Sequence, residues 1–380
     1  MSASQVSVKP LDLESSITKV AAVAAQHAER IDGKGEFPRE FVDACRAEGL
    51  LGLISSKDHG GQGHGIRQAA MVVERVAREC GSSAMVLTMH YCGAAVIEAH
   101  GPATVRRDLA AGNHLSTLAF SEAGSRSHFW APTGTALTDG DSVVLDARKS
   151  WITSAHHATA YVWSSKPLAG AELSTLWLVP ANAKGLRSEA AFDGLGLRGN
   201  DSCPVSAERV KLAADQRLGD DGAGFGIMMQ TVLPIFCVLT SANSVGFCEA
   251  AVAKTSSHAS KTKYEHLGSS LADLPTIRAY VARMRIDTDM ARTLWLDTLD
   301  ALENGRADVM LRVLEVKAGT AEVATRVLDT AMRVCGGLAY RKHVGVERAF
   351  RDGRASTVMA PTTDQLYDFI GKAVCGLPLF

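Results

Sequence analysis

Arg148-Lys149-Ser150-Trp151-Ile152-Thr153-Ser154-Ala155, preceded by Ala119-Phe120-Ser121-Glu122-Ala123-Gly124-Ser125-Arg126-Ser127-His128, is the pair of segments on which this chain turns. Taken singly, Trp151 reads as a core residue on a strand and Ser121 as a turn residue. Around them, Ser142 to Ala147, Ala160 to Ser165, Ser174 to Pro180 and Val205 to Leu212 are short β-branched or aromatic runs separated by Gly, Asp, Asn and Pro. That alternation predicts a small antiparallel β domain. Outward on both sides the apolar residues recur at three and four instead. From Leu13 to about Gly112 they include Ile17, Val20, Ala21, Ala24, then Phe41, Val42, Cys45, then Ala69, Val72, Val73, Val76, Ala77. From about Gly226 they include Ile277, Val281, Met284, then Leu294, Trp295, Leu299, Leu302, and an alanine-rich run from Leu311 to Ala331. These are amphipathic helices, and the second set is long enough to form a bundle. The expected fold class is α+β, mostly α: an N-terminal helical domain over 1–115, a central β domain over 116–225 and a C-terminal four-helix bundle over 226–380.

At 380 residues and 46% hydrophobic the chain can bury a sizeable core. Forty basic against forty-one acidic residues leave a net charge of -1, so no broad field attracts nucleic acid or anionic lipid. No sequence run approaches the roughly 20 apolar residues that span a bilayer, and the charged N-terminal thirty residues contain no signal-peptide core, so no membrane association and a cytoplasmic address are expected. Eight cysteines lack C-x-x-C spacing and read as buried reduced thiols; no metal site is expected. Asp58-His59-Gly60-Gly61-Gln62-Gly63-His64-Gly65 is a loop, and without a preceding strand it is not a nucleotide fingerprint.

The junction residues carry a resemblance to the acyl-CoA dehydrogenases along nearly the whole chain. Phe37-Pro38-Arg39-Glu40, Glu48-Gly49-Leu50-Leu51-Gly52-Leu53 and the Gly60-Gly61-Gln62-Gly63 loop resemble the family's first helix pair. Ser121 to His128 is similar to its Thr-Glu-Pro-Gly-Ala-Gly-Ser-Asp segment, and Arg148 to Ala155 to its Gly-x-Lys-x-Trp-Ile-Thr-Asn run. The resemblance implies that both segments line FAD. Phe120, Ser121 and Ser127 would stand at the ring edge and pyrophosphate, and Trp151, Ile152 and Thr153 against the isoalloxazine. Neutral donors beside an apolar wall suit a ring that becomes anionic on reduction. Arg333-Val334-Cys335-Gly336-Gly337 resembles the family's Gln-Ile-Phe-Gly-Gly turn. It implies that Arg333, Gly336 and Gly337 serve a neighbouring subunit's FAD in a homo-oligomer, a tetramer or dimer; periodicity alone reads the two glycines as a helix C-cap. Thr362 joins the cofactor set, while Met229, Leu233 and Phe236, with Met228 and Pro234 nearby, would line the cavity for a short or aromatic acyl thioester or related small hydrophobic metabolite.

The resemblance breaks at the base. The family's catalytic glutamate lies nine residues after the arginine of the Arg351-Asp352 pair, which here is Ala360; the alternative site on an earlier helix aligns with Phe236. The family's Arg-Lys-x-Phe-Gly segment becomes Tyr264-Glu265-His266-Leu267-Gly268, losing the arginine that pairs with pyrophosphate, with Lys261 and Lys263 as nearby cations. Superfamily members without the glutamate include monooxygenases in which reduced FAD and oxygen form a hydroperoxide. The resemblance therefore implies oxygen-dependent chemistry with a reduced-flavin supply. His90 and His128 are the candidate acid/base groups, and His156 and His157 are weaker ones. Two other readings stay open: an ordinary dehydrogenase with its base relocated to Asp364 or Glu122, and a non-catalytic flavin-binding subunit.

Overall fold

The computed structural model describes residues 11–379; the first ten residues of the expected 1–115 segment lie outside the described residues. The N-terminal part is helical: α1 (Leu13–Lys34), α2 (Arg39–Ala47), α3 (Ile66–Ala77), α4 (Gly81–His100) and α5 (Ala103–Ala110). Asp12 caps α1 by accepting from Ser15 N at 3.2 Å, and Gly35 ends it in the left-handed region at φ 67. Ile17, Val20, Ala21, Ala24, Ala28 and Ile31 make its buried stripe. α4 is apolar nearly all round, so it is buried nearly all round and becomes the centre of this part. In the glycine loop, a Cβ on Gly61 would sit 2.3 Å from the Ser55 carbonyl oxygen, so the glycine there serves chain packing.

The strands are β1 (Ser116–Ala119), β2 (Thr135–Asp139), β3 (Ser142–Ile152), β4 (Ala160–Ser165), β5 (Thr175–Pro180), β6 (Leu186–Ser188), β7 (Cys203–Ala213) and β8 (Arg217–Leu218). They form two four-stranded sheets, ordered β1-β4-β5-β8 and β2-β3-β7-β6, over a core that includes Trp163, Trp177, Leu145 and Val210. The expected all-antiparallel domain needs one correction: β1 pairs with β4 in parallel, Ser116 opposite Ala160. The β2–β3 hairpin lies in the other sheet, and the long excursion through it lets the chain return in the same direction. The register of β3 against β7 shifts between Lys149 and Ile152, and Trp151 within that irregularity has φ 58. The bulge re-aims the indole, which is 66% exposed instead of packed in the core.

Beyond β8 come α6 (Gly224–Ile227), a π-helical stretch Met228–Val232, and α7 (Leu233–Lys261). The short hairpin β9 (Lys263–Tyr264) and β10 (Ser269–Ser270) precedes α8 (Pro275–Glu303) and α9 (Val309–Cys335), and α10 (Val346–Gly353), α11 (Ala355–Val358) and α12 (Thr363–Val374) follow. The three long helices pack mutually, and the shorter α10 and α12 lie on α9 in place of a fourth long helix. The continuous helical stretch Gly224–Lys261, 38 residues, contains a segment long and apolar enough to cross a membrane. Thr240, Ser241, Asn243 and Ser244 interrupt its apolar run, which hid it from a count along the sequence. Its most apolar window is 61% buried, and Asn243 Nδ2 donates to Thr88 Oγ1 of α4 at 2.9 Å, so it serves as the bundle's core helix. At the junction of the three parts, Arg351 of α10 pairs with Asp32 of α1 at 2.6 Å, and Asp352 Oδ1 accepts from Leu197 N at 2.6 Å.

Candidate functional site

Where the β sheets meet the helices lies a cavity of about 850 Å³, near the upper end of the usual size for small-molecule sites. Each part of the chain supplies a wall. Ser121, Ser127 and Phe120 come from the turn after β1, Trp151, Ile152 and Thr153 from the bulged end of β3, and Met85 and Met89 from α4. Val232 comes from the end of the π-helical stretch, Leu233 and Phe236 from the start of α7, and Met359, Ala360 and Thr362 from the segment between α11 and α12. The structure thus gathers Phe120, Ser121, Ser127, Trp151, Ile152, Thr153, Thr362, Leu233 and Phe236 around one space. Phe192 packs against Trp151 with the rings tilted by 39° and centroids 4.3 Å apart, and extends the aromatic wall.

Other expected residues stand elsewhere. Met229 does not line the cavity. In an unbroken α-helix residues 229, 233 and 236 share a face, but the π-helical stretch Met228–Val232 rotates the register and presents Val232 instead. His128 is exposed and packs edge-on to Trp130, 5.1 Å between centroids, because the turn that bonds His128 N to the Ser125 carbonyl carries it outward past Ser127. His90 is also set aside as a catalytic group. It is fully buried, with Nε2 2.8 Å from the Leu51 carbonyl and Nδ1 accepting from Ser116 N at 3.1 Å. Both nitrogens are engaged by backbone, and the ring pins α4 to β1. His156 bonds Asp201 at 2.8 Å and His157 stacks on Phe37 at 3.9 Å; neither borders the cavity. Arg333, Gly336 and Gly337 are exposed and do not border it either.

Burial pushes His90 down to about 4 from 6.5. Between those values the unfolded chain binds the extra proton, so stability rises with pH across this window and is lost as pH falls through it. His90→Phe should therefore flatten the unfolding free energy between pH 4 and 6.5 while leaving Leu51 O and Ser116 N unpaired, at about 1–3 kcal/mol each. Denaturant titrations across that range check both effects.

Glu122 is the single carboxylate on the cavity wall among the described residues. It is tied down. Oε1 accepts from Lys149 Nζ at 2.6 Å, and Oε2 accepts from Thr133 N at 2.7 Å, from Gly134 N at 3.1 Å and from the Thr133 hydroxyl. Burial works to raise its pKa, but the Lys149 ammonium and these donors hold the carboxyl below its usual value. Lys149 has no exposed side-chain surface, and burial pushes it down to about 8 against the pull of Glu122. Asp364, the other relocated-base candidate, is exposed on α12 and does not reach the wall. At the expected base positions the wall presents only Ala360 and Phe236. Behind them Lys317 of α9, 1% exposed, donates to the carbonyls of Pro361, Met359 and Ser356 at 2.7, 3.0 and 3.3 Å.

The residues present suit a flavin. Trp151 is an indole held clear of the core with one aromatic neighbour, and it offers a flat face to a planar ring. Ser121, Ser127 and Thr153 supply neutral hydroxyls, and the adjacent Ser125 and Ser154 carry buried hydroxyl oxygens with no partner. The sequence did not point to Met85, Met89, Phe192, Asn200 and Ser202 as wall residues. The four-residue spacing of the two methionines was the available signal, whereas the 192–202 loop reaches the site through tertiary contacts alone.

Residues 13–112, 117–210 and 222–375 match the acyl-CoA dehydrogenase N-terminal, middle and C-terminal domains in turn. A probable acyl-CoA dehydrogenase of Bacillus subtilis is 27% identical over 348 residues, 90% of each chain. The cyclohex-1-ene-1-carbonyl-CoA dehydrogenase of Geobacter metallireducens is 26% identical over 361 residues, 92% of this chain and 93% of that one. Butyryl-CoA dehydrogenase of Megasphaera elsdenii superposes with a TM-score of 0.89 at 20% identity, covering 99% of this chain and all of its own.

Proposed function

Because the chain belongs to the acyl-CoA dehydrogenase family through all three of its domains, we propose that it is an FAD-dependent oxidoreductase acting on an acyl thioester or a related small hydrophobic metabolite, without the carboxylate base of α,β-desaturation and with oxygen and a reduced-flavin supply as co-reactants. One observation carries this reading. Among the described residues the one carboxylate on the wall has both oxygens committed to Lys149, Thr133 and Gly134, and the two aligned base positions are Ala360 and Phe236.

Bound FAD would supply a two-electron carrier that can take a hydride or, once reduced, pass electrons to oxygen. Ser121, Ser127 and Thr153 would hold its polar edge, and Trp151 with Phe192 would cover a face and keep water out. Leu233, Val232, Met85 and Phe236 form an apolar lining for a small acyl or aromatic group. No residue on that lining can take an α proton, and general-base participation is worth roughly 10²–10⁴ in rate. Lys317 fixes the carbonyls on either side of Ala360, so the methyl of Ala360 stays on the wall. The exposed Gly336-Gly337 turn, which does not border its own chain's cavity, supports a homo-oligomer in which a neighbour uses it.

Anaerobic mixing with a panel of acyl-CoAs tests the reading. The flavin should stay oxidised even where its spectrum shows a bound thioester, and product should form only when NAD(P)H, a flavin reductase and oxygen are supplied. Fast anaerobic bleaching contradicts it.

A further inference from the structure

Among the described residues the cavity wall carries two ionisable groups, Glu122 and Arg126. Glu122 is neutralised by Lys149 at 2.6 Å, so Arg126 leaves the wall with a net positive charge. Arg126 makes no side-chain hydrogen bond or ion pair among the described residues, and it is exposed, which places it at the rim and not on the floor. Its backbone is left-handed, φ 52, a conformation that suits glycine and is unusual for a long side chain. It replaces the second glycine of the Gly-Ala-Gly-Ser portion of the segment it resembles, giving Gly124-Ser125-Arg126-Ser127. Its neighbours supply further donors: Ser127 lines the cavity, and Ser125 Oγ is buried without a partner. The Tyr264–Gly268 segment, where the resemblance leads one to look for a phosphate-pairing arginine, holds none.

We propose that Arg126 is an anion-binding residue that clamps a diphosphate at the rim of the cavity, with Ser127 beside it. The reacting end of a ligand goes to the apolar floor at Phe236 and Ala360, so the group that crosses the rim is its charged tail. A guanidinium fork matches the paired oxygens of a phosphate. The inference rests on the flavin and thioester reading, and two ligands of that reading carry the required chemistry: the diphosphate of FAD and the diphosphate of coenzyme A.

Arg126→Gly is the informative variant, since it removes the charge while relieving the left-handed backbone and so preserves folding; Arg126→Lys retains the charge without the fork. Three readouts are compared with the parent protein: FAD release from the holoprotein followed by fluorescence, binding of coenzyme A against a pantetheine thioester that lacks the diphosphate, and calorimetric titration with inorganic pyrophosphate. Loss of at least about tenfold in one of them, partly restored by lysine and diminishing at high salt, is expected. Faster FAD release alone assigns the clamp to the flavin; weaker coenzyme A binding with unchanged pantetheine thioester binding assigns it to the carrier. All three unchanged in Arg126→Gly overturns the proposal. A protein that neither retains nor takes up FAD contradicts the parent reading instead, and the pyrophosphate titration then still decides the role of Arg126.

Discussion

Ala360→Glu is expected to raise the rate of anaerobic flavin reduction by a bound acyl thioester by about 10²-fold or more, the scale of general-base participation. The position is on the cavity wall, whose one carboxylate among the described residues, Glu122, is held by Lys149, Thr133 and Gly134. Lys317 fixes the local backbone by donating to the Met359 and Pro361 carbonyls, so the new side chain enters a segment that is already held. The same buried ammonium favours the ionised form of the new carboxylate, the form that accepts a proton. Stopped-flow bleaching of the flavin under nitrogen, with the same thioester on parent and variant, measures the effect. Equal rates with spectroscopically confirmed binding would mean that position 360 does not face the α carbon.

Lys149→Met is expected to lose about 3–5 kcal/mol of stability, because removing one member of a buried pair leaves the other charge uncompensated. Lys149 and Glu122 are both almost without solvent contact, and Lys149 Nζ also donates to Ser164 O at 2.7 Å and to Ser164 Oγ at 2.9 Å. Glu122 in turn organises the turn that carries Ser121 and Ser127 by accepting from Thr133 and Gly134. Flavin retention should fall along with stability. The double variant Lys149→Met with Glu122→Gln should recover much of the loss, which separates an unpaired charge from simple loss of packing. Urea unfolding of the parent protein and the two variants measures the loss and its recovery, and a loss in Lys149→Met below about 1 kcal/mol contradicts the role given to the pair.

The sequence displayed its helices and its inner strands well because their periodicity reports burial directly. Ala160–Ser165 is β4 residue for residue, and Ile17, Val20, Ala21 and Ala24 are buried as the stripe required. The residues expected from the two short segments were legible as cavity-lining for a different reason: the segments retain a recognisable spacing, and both meet at the cavity. What stayed hidden depends on geometry that has no periodic signal. A π-helical insertion moved Met229 off the wall, a β-bulge turned Trp151 outward, and backbone partners from Leu51 and Ser116 took both nitrogens of His90. The loop bearing Phe192 and Asn200 is placed by the bond from Leu197 N to Asp352, 155 residues away in sequence, which no local pattern announces. The parallel pairing of β1, four residues long, was equally silent.

The proposal that no group on the cavity wall, among the described residues, accepts the substrate's α proton is tested most directly by hydrogen–deuterium exchange at the α carbon. The parent protein is incubated under nitrogen in D₂O with the acyl-CoA that perturbs its flavin spectrum most, and the α position is followed by NMR. The thioester should keep its α protons at the buffer rate in the parent protein and lose them only with Ala360→Glu. Enzyme-catalysed exchange by the unaltered chain would show that some group in the site takes the proton, and would contradict the account.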